Sequence, residues 1–226
     1  KGFTFDWYIE MWNKARLHQA LWNSIKVGII ASIISTFIAL FAAKAFTRYK
    51  VKFSGLSYGA ILLPFIIPEI IIAVAFIVIW TSMGLKLGLI PITISHVLYC
   101  TPFCLLILIS RMEGFDKSLE EASMDLGENA FGTFWRITLP LLLPGIVASL
   151  LLSFVISFDE FILAFFLSSS DQTLPIYMWS QLRFPKKLPH VLALGAIIIV
   201  ATSFIVMLSY WFRNIGQSKN NKNLEI

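Results

Sequence analysis

The stretch Ser118–Pro140, SLEEASMDLGENAFGTFWRITLP, is the longest strongly polar interval between apolar runs in this chain. It stands between two segments long and apolar enough to span a membrane. It opens as a helix. Ser118 is placed as an N-cap, with Glu121 three residues on, the spacing of a capping box. Glu120 and Glu121 fall in the first turn, where the helix dipole favours acids. Gly127 is predicted to stop the helix. A second short amphipathic piece carries Phe131, Phe134, Trp135 and Ile137, and Pro140 is predicted to end it. A loop that only joined two spans would need far less. Two short helices beside a bilayer point to a docking device for another protein.

Around this interval the chain is apolar. Hydrophobic residues make up 58%, charged residues 14%, and the mean hydropathy is +0.79, far from a soluble domain. The apolar residues come in long blocks, not in the alternating segments of about 10 residues that build a transmembrane β-barrel. This predicts an all-α integral membrane protein. The net charge of +5 does not signal nucleic acid, because the basic residues flank apolar runs and orient the chain. Cys100 and Cys104 share one helix face inside an apolar run. They read as small packing residues in preference to a metal or disulfide pair. The chain opens KGFTFDWY, without Met and without a signal-peptide pattern, which predicts a fragment or a processed product.

Five spans are predicted: about Leu21–Phe46, Leu56–Trp80, Leu87–Ser110, Leu141–Phe166 and Val191–Phe212. Each is long enough for a hydrocarbon core of roughly 30 Å. Trp7, Trp12 and Trp22 suit a membrane interface, and Lys26 can snorkel to it. Pro64, Pro68 and Glu69 predict a kink or break in the second span. Lys44, Arg48, Lys50 and Lys52, with no acid among them, mark a cytoplasmic loop. Alternation then puts 111–140 and the C-terminus inside, where Arg213, Lys219 and Lys222 agree. It puts 1–21, 82–87 and a polar loop at 167–189 outside, although Arg183, Lys186 and Lys187 of that loop count against it. A sixth span missing at the N-terminus would place both ends in the cytoplasm.

The polar stretch then becomes specific. Glu121-Ala122-Ser123, three residues, Gly127, nine residues, Ile137, one residue and Leu139-Pro140 resembles the EAA motif of the permease subunits of binding-protein-dependent ABC importers. Ser123 is the one departure, small for small. Further pieces are similar to the spermidine/putrescine (PotC-like) branch of that family: Leu63-Pro64, Ile67-Pro68-Glu69, Leu152–Glu160 and Leu174-Pro175-Ile176. The resemblance covers most of residues 1–215, leaving 216–226 as a cytoplasmic tail. It implies the type I ABC importer transmembrane fold (MetI-like), with 111–140 as the coupling-helix loop and the inner membrane as the location.

The resemblance also implies roles and partners. Glu120, Glu121, Ala122, Ser123, Leu126, Gly127, Ile137, Leu139 and Pro140 would form the ATPase-coupling surface, with Phe131 and Phe134 as further apolar anchors. The partners implied are two ATPase subunits, a second, non-identical (PotB-like) permease and an extracytoplasmic substrate-binding protein. Membrane lipid surrounds the spans. The implied cargo is spermidine or putrescine. The alternatives are a permease for another small solute (iron, phosphonate, opine or amino-acid-like) and a proton-driven secondary transporter using Glu69 and Asp159. An amphipathic helix lying on lipid is the plain alternative for the polar stretch. Its acidic face argues against that, since anionic lipid favours Lys and Arg.

Other residues are read from their own chemistry. A carboxylate inside hydrocarbon costs about 2.5–3.5 kcal/mol, so Glu69, Asp159 and Glu160 are expected to face a cavity or a partner. Asp159 lies 19 residues beyond Pro140, roughly 28 Å along a helix. A path for polycations would use these acids. They could equally be solvated at the outer mouth or pair with the second permease. His96 is expected to be packed and hydrogen-bonded, while His18 and His190 fit the interface. Phe161, Phe165 and Phe166 are expected to pack between helices. No P-loop, dinucleotide turn, catalytic constellation or metal-spaced cluster is present in the sequence. The chain therefore reads as a transporter with no cofactor of its own, ATP being hydrolysed by a separate chain.

Overall fold

The computed structural model describes residues 6–49 and 52–214. Lys50, Lys219, Lys222 and the expected tail 216–226 lie outside the described residues. Helices account for all the regular structure among the described residues. They are α1 (Asp6–Trp12), α2 (Ala15–Arg48), α3 (Ser54–Ile66), α4 (Glu69–Ser82), α5 (Leu89–Glu113), α6 (Ser118–Asp125) and α7 (Ala130–Thr133). A π turn (Phe134–Thr138) leads into α8 (Leu139–Asp159), followed by α9 (Ile162–Leu167), α10 (Leu174–Leu182), a 3-10 turn (Pro185–Lys187) and α11 (Leu188–Asn214). Four stretches are long and apolar enough to cross a membrane: 15–48, 89–113, 130–159 and 185–214. The bent pair α3/α4 is a fifth if its two helices together form one span.

The bundle is built around α2, which packs along α5 and α8, while α11 packs on α8. The buried face of α2 carries Ala20, Ser24, Gly28, Ala31, Ser35, Ala39 and Ala43 at helical spacing. Ile29, Ile30, Ile33, Phe37 and Phe41 point outward. Small inside and large outside is the order a lipid-facing bundle needs, because close backbone approach replaces the hydrophobic effect between spans. At Gly28 an added Cβ would come within 3.0 Å of the Phe154 ring. Hydroxyls join the helices, Ser35 Oγ donating to the Val97 carbonyl at 3.1 Å and Ser209 Oγ to the Ala148 carbonyl at 2.8 Å.

The second span is broken, as Pro64 and Pro68 predict. The axes of α3 and α4 differ by 103°. Pro68 holds Ile67 extended (φ −75°, ψ 133°), since a residue before proline is kept out of the helical region. Glu69 begins α4 directly after the break.

Three expectations are corrected. Pro140 does not end the amphipathic piece, because the helix runs from Ala130 to Asp159 without a stop. The π turn explains this: the Leu139 amide bonds back to the Phe134 carbonyl. The wider turn makes room where a proline ring would otherwise meet the carbonyl four residues back. The fourth span ends at Asp159 and not at Phe166. Glu160 is extended (φ −70°, ψ 123°), and its carboxylate accepts the Leu163 and Ala164 amides at 2.8 and 3.0 Å, starting α9 afresh. The interval 167–189 is no plain loop. Pro175 sits in the first turn of α10, where its missing N–H is harmless, and Leu174, Ile176 and Tyr177 are buried.

The ends of the helices sort into two groups. At one end the Gly88 amide donates to Leu167, Asn23 donates to the Gln172 carbonyl at 3.0 Å, and Ser24 Oγ accepts the Leu174 amide at 2.8 Å. At the other end Arg48 meets Glu120, and Arg111 Nε donates to the Leu141 carbonyl at 3.2 Å. The loops expected on one side therefore meet each other. With 34 residues, α2 is about 51 Å long, so its last turn reaches past a hydrocarbon core of about 30 Å.

Candidate functional site

The segment 118–140 forms a polar platform at the end of the bundle reached by Arg48. Its first helix does not start with the expected capping box. Lys117 flanks it in helical conformation, and Asp116 Oδ1 accepts the Ser118 amide at 2.9 Å. That bond holds the Asp116 carboxyl below the usual carboxylate range. Glu121 instead pairs with Lys117 at 3.1 Å, one turn back. The helix ends as predicted. Gly127 has φ +94°, and its amide donates to Met124 at 2.9 Å. Nothing lies within 4 Å of a Cβ placed there, so the glycine serves the left-handed backbone and not a close approach. Asn129 then caps α7 by accepting the Gly132 amide at 2.8 Å.

The predicted residues divide into two faces. Glu121, Ala122, Leu126, Gly127 and Pro140 are exposed, Leu126 at 89%. Leu119, Met124, Phe131 and Trp135 add exposed apolar surface beside them. Ile137 and Leu139 are half-buried. Glu120 and Ser123 turn inward and are the only buried residues of α6. Phe134, expected to anchor a partner, is also buried. It joins Ala39, Leu40, Leu105, Leu108 and Leu142 in a core cluster, with the Lys44 ammonium 4.3 Å from its ring centre.

On the inward face Glu120 Oε2 accepts Arg48 Nε at 2.6 Å, and Oε1 accepts the Thr138 hydroxyl. Arg48 also donates through Nη2 to the Met112 carbonyl at 3.0 Å and lies 4.7 Å from the Phe115 ring centre. Ser123 Oγ and Thr133 Oγ1 are 3.1 Å apart. Sequence reasoning took Arg48 only as an orientation signal and passed over Thr138. The missed signal was the second acid of the Glu120-Glu121 pair. Successive helix residues point about 100° apart, so only one of the two could face a partner.

The three acids named for a cargo path have different surroundings. Glu69 accepts a hydrogen bond from Tyr99, a residue the sequence reading did not single out. Tyr99 is within electrostatic reach of Glu160 as well. Glu160 is buried, caps α9 and lies 3.0 Å from His96 Nε2 in a bent contact. His96 Nδ1 meets Ser157 Oγ at 2.7 Å, so His96 is packed and hydrogen-bonded as expected. Asp159 is set among other residues. It is exposed and lines a cavity of about 310 Å³ with Phe158, Met178, Gly195, Ile198 and Thr202.

The remaining candidates hold structure. Cys100 and Cys104 are buried free thiols against α8, near the carbonyls of Ser153 and Ser149. His18 bonds the Trp12 carbonyl at 2.6 Å, and His190 meets Glu10 at 2.9 Å. Phe161, Phe165 and Phe166 pack in a run of neighbouring rings. No group of His, Cys, Asp or Glu among the described residues is arranged to hold a metal ion.

Comparison with known proteins adds three findings. The model of the family described as binding-protein-dependent transport system inner membrane component matches residues 35–219. The spermidine/putrescine transport system permease protein PotC of Haemophilus influenzae is 32% identical over 92% of this chain and 81% of its own length. PotC of Escherichia coli K12 is 30% identical over 92% of this chain and 79% of its own length. In fold, the helices superpose on a chain of a bacterial ABC transporter involved in the import of the acidic polysaccharide alginate. The TM-score is 0.74 with 16% identity, covering 93% of this chain and 83% of that one.

Proposed function

Since the chain belongs to the binding-protein-dependent transport system inner membrane components, and is thus a multi-pass permease of the ABC importer type, we propose that it admits polyamines, spermidine and putrescine, across the inner membrane. The observation that carries the cargo is the 32% identity to a spermidine/putrescine permease over 92% of the chain. Residues 1–215 act as the transmembrane domain, and 216–226 as a cytoplasmic tail. The segment 111–140 is the coupling loop, seated on one of two ATPase subunits. A second, non-identical permease completes the pore, and an extracytoplasmic binding protein delivers cargo.

Physical support for the coupling role lies in the outward face. An exposed carboxylate on Glu121 offers a partner a charge-assisted bond. Leu126 and Phe131 offer apolar anchors of the helix-in-groove kind, and Ala122 and Gly127 let a groove wall approach. Rigid-body movement of this platform would then swing the spans between inward and outward openings. The hydrogen-bonded Glu69 and exposed Asp159 supply counter-charges for amines, while Glu160 serves as a brace. Labelled spermidine uptake in cells stripped of their own polyamine importers tests the proposal. Saturable uptake that needs the ATPase, and that putrescine reduces, is expected. Uptake of another solute class with no response to either polyamine would refute the cargo.

A further inference from the structure

We propose that Glu120 is the positioning residue that fastens the coupling platform to the spans, so that a push on α6 reaches α2 and α8 together. This inference rests on the ATPase-docking reading above. The one carboxylate uses both oxygens on different elements. Oε2 takes Arg48 on the last turn of α2, and Oε1 takes Thr138 at the end of the π turn that leads into α8. Arg48 carries the joint onward to the Met112 carbonyl on the last turn of α5. Four helices thus meet at one ion pair.

The pair is shielded, with side-chain exposure of 10% for Arg48 and 8% for Glu120. An exposed pair would be loose and screened, whereas a buried one strongly resists the loss of either partner. The helix has little else to hold it. Besides Glu120, only Ser123 of α6 is buried, and its hydroxyl reaches no further than Thr133 on α7. A docking helix without an apolar core contact of its own depends on polar bonds for its direction. Glu120 supplies the bonds that cross to the spans, while its neighbour Glu121, paired only with Lys117 on its own helix, stays exposed to a partner.

The test uses the assembled complex, this permease with its partner permease and ATPases, in lipid vesicles. Two quantities are read: ATPase retained on purification and solute imported per ATP hydrolysed. Glu120→Gln is expected to retain the ATPase and its hydrolysis while import per ATP falls about tenfold, as expected for the loss of a bond to a charged group. Thr138→Val, which removes one of the two bonds, is expected to lower import per ATP about threefold. Arg48→Gln combined with Glu120→Gln is expected to be no worse than Glu120→Gln alone, because the two act as a unit. Unchanged import per ATP in Glu120→Gln would overturn the proposal. So would loss of the ATPase in both Glu120→Gln and Thr138→Val, which would place these residues in docking itself. If Glu120→Gln does not accumulate, Thr138→Val decides alone, and wild-type import per ATP there overturns the proposal. Glu121→Lys separates the two readings: an ATPase that stays bound to that variant sinks the docking reading, whatever Glu120 does.

Discussion

Two pairs of adjacent acids flank the fourth span, one on α6 before it and one where α8 ends, and each pair is split in the same way. On α6 Glu120 is buried and bonded to two other helical elements, while Glu121 is exposed. At the far end Glu160 is buried between His96 and the amides of α9, while Asp159 is exposed. In a sequence the four carboxylates look alike. In the molecule one member of each pair braces helices and the other is left for something outside. The difference shows that an acid at a span end gains its role from the direction of its Cα–Cβ bond as much as from its charge.

The largest expected effect breaks the far brace. Glu160→Ala leaves the Leu163 and Ala164 amides without their acceptor, a loss of about 3 kcal/mol for buried unpaired donors. Purified protein should unfold at lower temperature and assemble poorly. Wild-type thermal stability would show that Glu160 is not a brace. Next is Glu121→Lys on the exposed member of the α6 pair. Reversing an interfacial charge is expected to weaken ATPase attachment by about 2 kcal/mol, roughly thirtyfold, with span stability intact. Co-purification measures the first and thermal unfolding the second. Asp159→Asn should be milder, because an exposed carboxylate interacts with a charge by about 1 kcal/mol at most. Polyamine uptake should fall about fivefold with assembly unchanged, and unaltered uptake would remove Asp159 from the path.

The smallest effect tests the cap of the platform. Asp116→Ala should slightly loosen the first turn of α6. The same contribution depends on pH. The Asp116 carboxyl is held below its ordinary value by the Ser118 amide, so this stabilisation is present above the ordinary carboxylate range and is lost as pH falls through the lowered folded value. Amide exchange across 118–125 at neutral and acidic pH reports it. Protection that does not change with pH would remove Asp116 as the cap.

Much of the fold was legible because spans obey a length rule and apolar blocks are hard to mistake. Pro64 and Pro68 gave the break between α3 and α4, and Gly127 gave the end of α6. The illegible parts depend on side chains reaching across the sequence. The cap at α6 came from Asp116 and not from Ser118, because the two lie close enough to exchange roles. The end of the fourth span was hidden because Phe161–Leu167 continues the apolar block, while Glu160 turns back to cap a new helix. Pro175 looked like a loop marker, yet proline is as welcome in a first helical turn. Tyr99, Thr138 and Arg48 were silent as site residues because uncharged hydroxyls and loop arginines are common at span ends.

The π turn at Phe134–Thr138 has one more consequence. It holds one residue more than an ordinary helical turn needs, so the chain carries a single residue of slack between the platform and the fourth span. Shortening the segment by one residue would return it to regular pitch without rotating either flanking face. The Pro140 ring would then press on the carbonyl of the preceding turn.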